Sequence, residues 1–215
     1  MVIDHIFFIS LHNGVEAQDW LAAGWVEGSR RKHLGQGTAN RKFYAQNCFF
    51  EFLWIDDEEA FSSATVEATG LPGRFRKLRE GGSSLGICLE HTDLTSPLFE
   101  GAKRYQPTYF PEGQEIRILD FSEYPDLPWL FCLPFPRKSY VGLEPMEHPN
   151  GIEQLTKIQI GLSAQTMDSW IARELQKLPG IELIPSYENA TNLIFDHRRQ
   201  GKSKQFERPR LLIEY

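Results

Sequence analysis

Two side chains in this sequence stand where apolar surroundings make them expensive. His5 lies in Val-Ile-Asp-His-Ile-Phe-Phe-Ile-Ser and Glu51 in Cys-Phe-Phe-Glu-Phe-Leu-Trp-Ile. Both stretches read as strands. Alternation puts Ile3, His5, Phe7 and Ile9 on one face of the first, and Phe49, Glu51, Leu53 and Ile55 on one face of the second. An ionised carboxylate on such a face is costly without a compensating partner. Three partners suit it. One is a divalent metal (Zn, Fe, Mn or Ni) held by His5 and Glu51, with water or substrate completing the shell. Another is a substrate, with His5 and Glu51 as catalytic residues in proton transfer. The third is structural: a Glu51–His5 hydrogen bond or a Glu51–Arg41 ion pair. His33 and His91 are further imidazoles for a ligand set, and are otherwise ordinary loop histidines.

The segment between those strands supplies candidate ligand-binding residues. Gly35-Gln36-Gly37-Thr38-Ala39-Asn40, with Arg30, Arg31, Lys32 and Arg41 around it, has the glycines and cations of an anion cradle. No helix follows it, which rules out Walker and Rossmann phosphate loops, and a glycine turn with a solvated basic rim accounts for the same residues. Thr38, Asn40 and Arg41 open the strand beside Glu51 and, with His33, are the candidate cavity-wall residues. Phe7, Phe49, Trp54, Trp129 and Phe131 suit either an apolar ligand pocket or plain core. Lys157 suits either an activated amine or an edge lysine that blocks aggregation. His148-Pro149-Asn150-Gly151 reads as a rigid turn.

The elements that must position these residues follow a repeated order. Residues 2–10 read as a strand and 12–14 as a turn. Residues 15–23 form a short helix with Ala17, Trp20 and Leu21 inward, ended by Gly24. A short strand at 25–28, a polar loop at 29–37, and strands at 38–46 and 48–55 complete a β-α-β-β-β module. Residues 56–71 read as an acid-led helix and 73–84 as a basic, glycine-rich loop. Strands at 84–90, 107–110, 115–121 and 129–135, with a short helix or turn at 93–101, form a degraded second round. A strand at 155–162, a helix at 166–178 and strands at 181–185, 191–196 and 210–215 form a third, with 198–204 as a basic hairpin loop. The expected organisation is a first module at 1–57, a helical crossover at 58–83, a second module at 84–136, a linker at 137–154 and a third unit at 155–215. The fold class is α+β, with repeated modules stacked side by side into a shared, cupped mixed sheet and helices on its outer face.

Composition bounds the function. The 215 residues are enough for one sizeable domain or two small ones, and 41% hydrophobic content with 13% aromatics supports a real core. A net charge of −6 argues against a general nucleic-acid binder, which needs a basic face. Cys48, Cys88 and Cys132 lie in apolar strand-like runs without pairing motifs and read as buried small hydrophobes, so a reducing cytoplasm is the expected location. The N-terminus lacks the basic region of a signal peptide. No run of roughly 18 apolar residues spans a membrane.

The module with Asp4-His5-Ile6 on its first strand and Glu51 on its fourth resembles the vicinal oxygen chelate superfamily, and within it the glyoxalase-like domain group. That superfamily includes glyoxalase I, extradiol dioxygenases and bleomycin-binding proteins. Further features carry the likeness: His33-Leu34-Gly35-Gln36-Gly37-Thr38-Ala39-Asn40-Arg41 before the third strand, Phe50-Glu51-Phe52-Leu53-Trp54, Gly86-Ile87-Cys88-Leu89 leading to Thr92-Asp93-Leu94, and His148-Pro149-Asn150-Gly151. The resemblance implies two modules cupped around a metal, with ligands from the first and fourth strands of each. His5 and Glu51 match the first pair. The second pair falls near Gly86 and near Phe131 or Cys132; if the third unit supplies it instead, it falls on Lys157 with Glu214 out of register. Two functions remain. One is a lyase- or dioxygenase-like enzyme acting on a small oxygen-bearing substrate. The other is a metal-free small-molecule binder of the bleomycin-resistance type. The expected partner is a small molecule, and a homodimer would satisfy the sheet edge of an odd third unit.

Overall fold

In the computed structural model, which describes residues 1–11, 13–119, 121–136 and 139–215, β1 (Ile3–Ile9) is buried along its whole length. A run of Ile and Phe with so few polar side chains needs cover on both faces. β1 stands in the middle of an eight-stranded, curled mixed sheet. On one side it pairs in parallel with β4 (Cys48–Ile55), reached through α1 (Ala17–Ala22), β2 (Arg30–His33) and β3 (Thr38–Ala45). On the other it pairs antiparallel with β5 (Leu85–Leu89). β5 opens a second set with β6 (Lys103–Tyr105), β7 (Ile116–Leu119) and β8 (Trp129–Cys132), and β8 returns parallel to it. The order is β2-β3-β4-β1-β5-β8-β7-β6, two like halves joined at the β1–β5 seam.

Three short helices cross between the halves: α2 (Glu58–Phe61), α3 (Ala64–Glu67) and α4 (Leu71–Leu78). The single helix expected at 56–71 is broken where the Ser63 hydroxyl accepts from the Val66 amide and starts a new one. Gly70, at φ 76°, then turns the chain into α4, in a stretch expected to be mostly loop. Phe61, Val66, Leu71 and Phe75 pack over Phe7, Ile9 and Leu53, covering one face of the sheet.

The last part of the chain builds its own sheet rather than extending the first. It comprises β9 (Leu155–Leu162), α5 (Ala164–Met167), α6 (Trp170–Leu175), β10 (Ile181–Pro185), β11 (Thr191–Phe195), β12 (Ser203–Phe206) and β13 (Leu211–Glu214), in the order β10-β9-β11-β13-β12. Its apolar face, with Ile158, Ile160, Leu193 and Phe195, meets Ile6, Phe8, Phe50 and Phe52 in one core between the sheets. The helix expected at 166–178 is two, because the Ser169 hydroxyl accepts from the Ala172 amide and caps a second start.

Two expected strands, 25–28 and 107–110, are irregular; β2 and β6 take their places. Both replacements are charged edge strands, which lack apolar alternation because an exposed edge is protected by charge. Lys157 is not at an edge: β9 lies between β10 and β11. The basic tract expected as a hairpin loop contains the start of β12. His12, in the expected turn, lies outside the described residues. Among the described residues no helix is long and apolar enough to cross a membrane.

Candidate functional site

The site lies on the face of the large sheet beneath α2, α3 and α4. A cavity of about 170 Å³ opens there, walled by β1, β3, β4 and β8 and by the segment around Tyr109. His5 and Glu51 both line it. They are not hydrogen-bonded to each other, so neither that contact nor a Glu51–Arg41 pair explains the carboxylate. Among the described residues Glu51, only 8% exposed, has no hydrogen-bond or ion-pair partner.

His5 has a different companion. The β1–β5 register runs from Ile3↔Leu89 to His5↔Cys88, so β1 carries one extra residue there. That residue is Asp4. The bulge turns Ile3 into the intersheet core and brings Asp4 to the cavity beside His5. The Asp4 carboxylate accepts from His5 Nδ1 at 2.6 Å, and both residues are more than nine-tenths buried. This bond leaves Nε2 as the imidazole's acceptor. Phe49 stacks on the ring at 4.4 Å between centroids, and Phe131 meets it edge-on at 5.2 Å. Strict alternation hides Asp4, because a bulge leaves no mark in the pattern of residue types.

The positions that the family resemblance assigns to a second ligand pair are filled. A Cβ on Gly86 would lie 2.1 Å from the Phe7 ring, which occupies that space. Phe131 and Trp129, on β8, turn the opposite wall aromatic. Lys157 and Glu214 belong to the other sheet, where they pair with Glu182 and Arg198. Asp4, His5 and Cys88 do bring one donor atom each within 4.8 Å of one another. Two of those donors already satisfy each other, however. Cys88 is wholly buried, and burial pushes its thiol well up, so the proton stays on sulfur. Glu51 is outside the group. These residues do not fit a four-ligand centre with an open position.

The other expected wall residues divide. Thr38 Oγ1 links His33 Nδ1, at 2.9 Å, to Gln36 Nε2, at 2.9 Å; the Tyr109 hydroxyl donates to Gln36 Oε1 at 2.8 Å. The Gln36 amide donates to the Thr38 hydroxyl, which is also hydrogen-bonded to His33 Nδ1. His33 lines the cavity, and Thr38 stands behind it as a support. Burial, aided by the charges of Arg31 and Lys42 and opposed by Glu51, lowers the His33 pKa to about 4. Asn40 accepts from the Arg31 amide at 3.0 Å, and its buried Nδ2 has no partner among the described residues. Arg41 does not line the cavity. It grips Glu27 through Nε and Nη2 at 2.9 and 2.5 Å, because its place in the alternation of β3 turns it to the opposite face.

Arg31 and Gln36, named with the loop that reads as an anion cradle or a glycine turn, also face the cavity, and so do Lys42 and Tyr109, which were not singled out. Lys42 is in register with Glu51, so alternation from Glu51 across the hairpin would have found it. Tyr109 comes from an irregular segment and left no such signal. His91 lies outside this cavity, bonded to Ser96 at 2.9 Å. His148 is a strut: Nδ1 accepts from the Val26 amide at 3.1 Å and Nε2 donates to the Tyr44 carbonyl at 2.8 Å. Gly82-Ser83-Ser84-Leu85-Gly86 has the spacing of a nucleophile elbow, but it leads from a turn into β5 rather than from a strand into a helix.

No protein-family model and no curated protein matches the sequence. The structure is similar to that of a hypothetical protein from Staphylococcus aureus, with a TM-score of 0.62 and 10% identity over 98% of this chain and 97% of that one. That likeness extends to both sheets and concerns the fold alone. Methylmalonyl-CoA epimerase from Mycobacterium tuberculosis matches with a TM-score of 0.40 and 13% identity over 61% of this chain and 86% of that one. A xylose isomerase-like TIM barrel/4-hydroxyphenylpyruvate dioxygenase fusion protein matches with a TM-score of 0.48 and 11% identity over 90% of this chain and 36% of that one.

Proposed function

We propose that this protein is a small-molecule enzyme whose cavity binds a compact, planar, oxygen-bearing substrate and moves a proton on it. The Asp4–His5 bond of 2.6 Å carries the reading. Asp4 holds the imidazole in one tautomer and stabilises the imidazolium that forms when Nε2 takes a proton. Glu51, on the adjacent strand and unpaired, is the second proton carrier. The aromatic wall of Phe49, Phe131 and Trp129 holds a flat molecule and excludes water. A lyase- or isomerase-like reaction beside a carbonyl needs these parts. With Nδ1 held by Asp4, His5 would meet a divalent metal through Nε2 with Glu51 as the second ligand, and because the positions for a second ligand pair are filled, no step here is routed through a metal.

Binding without turnover is the second reading. The filled ligand positions at Gly86 and Phe131 favour it, since a cavity walled by rings retains a flat molecule whether or not it reacts. One experiment separates the two. Small conjugated and aryl carbonyl compounds are screened for stabilisation of the protein in D2O, and C–H wash-out beside the carbonyl is followed by NMR. The expected result is exchange in wild type, slowed by about 100-fold or more in His5→Gln. Stabilisation with unchanged wash-out in His5→Gln leaves binding alone. No stabilisation by any compound sinks both.

A further inference from the structure

We infer that the cavity takes a planar carboxylate, an aromatic or conjugated acid whose anionic group lies between Arg31 and Lys42. The inference rests on the small-molecule reading above and names the class of molecule.

β2 sorts its cations. Arg30 pairs with Glu27 at 2.7 Å and Lys32 with Asp56 at 2.8 Å. Arg31, between them, points the other way and lines the cavity. Its guanidinium lies 5.0 Å from the centre of the Tyr109 ring, and Tyr109 is itself fixed by Gln36. On β3, Lys42 also lines the cavity, with Nζ 5.7 Å from the Tyr44 ring centre and 6.0 Å from that of Phe49. Among the described residues neither cation has an ion-pair or side-chain hydrogen-bond partner. Arg31 is exposed at the cavity mouth and Lys42 is half-buried inside it, with Glu51 and Glu144 near enough to act on it but closing no ion pair; together the two cations give the cavity a basic rim that an anion can reach and bridge.

The cavity is polarised across the sheet. Arg31 and Lys42 lie on β2 and β3, whereas Glu51, Asp4 and His5 lie on β4 and β1. Glu51 is the cross-strand neighbour of Lys42, whereas the Asp4–His5 pair lies one strand further on, so the direction of binding is set by the cations at one end and that pair at the other. From β3 to β1 is two strand spacings, about 10 Å. A ring with a short acid arm suits that span, its anion at the cations and its neutral, reacting part beside His5. A planar guanidinium accepts a carboxylate through two parallel hydrogen bonds, and an ammonium adds a third donor.

The test uses phenylacetate, 3-phenylpropionate and phenylpyruvate, each beside its uncharged amide, titrated into the full-length protein by calorimetry. The acids are expected to bind wild type about tenfold or more tightly than the amides. Arg31→Gln and Lys42→Met each remove about that factor for the acid and leave the amide unchanged, while Arg30→Gln changes neither. Equal affinity of acid and amide for wild type overturns the inference without reliance on any variant, and so does unchanged acid affinity in both substituted proteins. If amides bind and exchange protons while acids do not, the enzyme reading stands and the carboxylate is lost. If neither class binds, both fall.

Discussion

Strand for strand and direction for direction, β10-β9-β11-β13-β12 repeats the central β8-β5-β1-β4-β3 of the larger sheet. In each, a parallel pair, an antiparallel seam, a second parallel pair and an antiparallel pair follow in turn. The treatment of charge differs. On the outer face of the small sheet, Lys157 bonds Glu182, Gln159 bonds Glu182, Asn192 bonds Gln159 and Glu214, and Arg198 bonds Glu214. These contacts hold the Glu182 and Glu214 carboxyls below the usual range. In the large sheet, the buried Glu51 and the half-buried Lys42 line the cavity without an ion pair or side-chain hydrogen bond among the described residues, and Arg31 lies exposed at its mouth. The small sheet's network pairs every charged group in it, leaving only the buried Asn192 Oδ1 without a partner among the described residues, and so accounts for its charges; a buried carboxylate left open, as Glu51 is, needs something from outside. The contrast assigns structure to one sheet and the candidate site to the other, although the strand plan is shared.

The sharpest way to break the comparison is at His5. Replacing Asp4 with Asn, which offers the imidazole the wrong hydrogen-bond partner, is expected to slow proton exchange by about 1000-fold while leaving ligand affinity within a few-fold. An equal loss in both would make Asp4 a structural residue like those of the small sheet.

Acid tests the covered cavity next. The His33 pKa falls from 6.5 to about 4 on folding, so between those values the unfolded chain binds a proton that the fold refuses. Stability is therefore full above pH 6.5 and lost as pH falls towards 4, by about 3 kcal/mol from this group. His148, its pKa also lowered by burial, adds in the same direction. Urea midpoints across this range, compared with His33→Gln, should show a flatter profile in the variant.

Gly86→Ala places a methyl group against Phe7 and is expected to cost about 2 kcal/mol and to shrink the cavity. An unchanged denaturation midpoint would mean that the ring swings freely. The smallest effects carry opposite signs. Glu51→Gln relieves an unpaired buried carboxylate and should stabilise the protein by about 1 kcal/mol while abolishing turnover. Glu214→Gln loosens a paired, more exposed one and should destabilise by less than about 1 kcal/mol. The same sign for both would erase the distinction between the sheets.

The strands that bury both faces were legible in the sequence. Cys48–Ile55, Leu155–Leu162 and Ile181–Pro185 fall where apolar runs and turn residues put them. Edge strands such as Arg30–His33 were not, since their stability comes from backbone pairing to β3 rather than from an apolar face. The helix breaks at Ser63 and Ser169 turn on single hydroxyl caps inside otherwise plausible helical runs. Of the site, His5 and Glu51 stood out because they interrupt apolar strands. Asp4 did not, because a bulge exists only in the pairing of β1 with β5. Arg41 and Arg31 show the reverse: among adjacent cations, strand phase alone decides which meets Glu27 and which faces the cavity, and the onset of β2 was not visible.

The Phe7 ring in the space beside Gly86 also sets an order of events. A histidine or glutamate introduced at 86 collides with the ring, so the change is rejected before it can ligate anything. A smaller residue at 7 must come first, and alone it leaves a void in the wall. Any path by substitution from this cavity to a symmetric metal centre therefore passes through a less stable intermediate, and an engineered one should make both changes together.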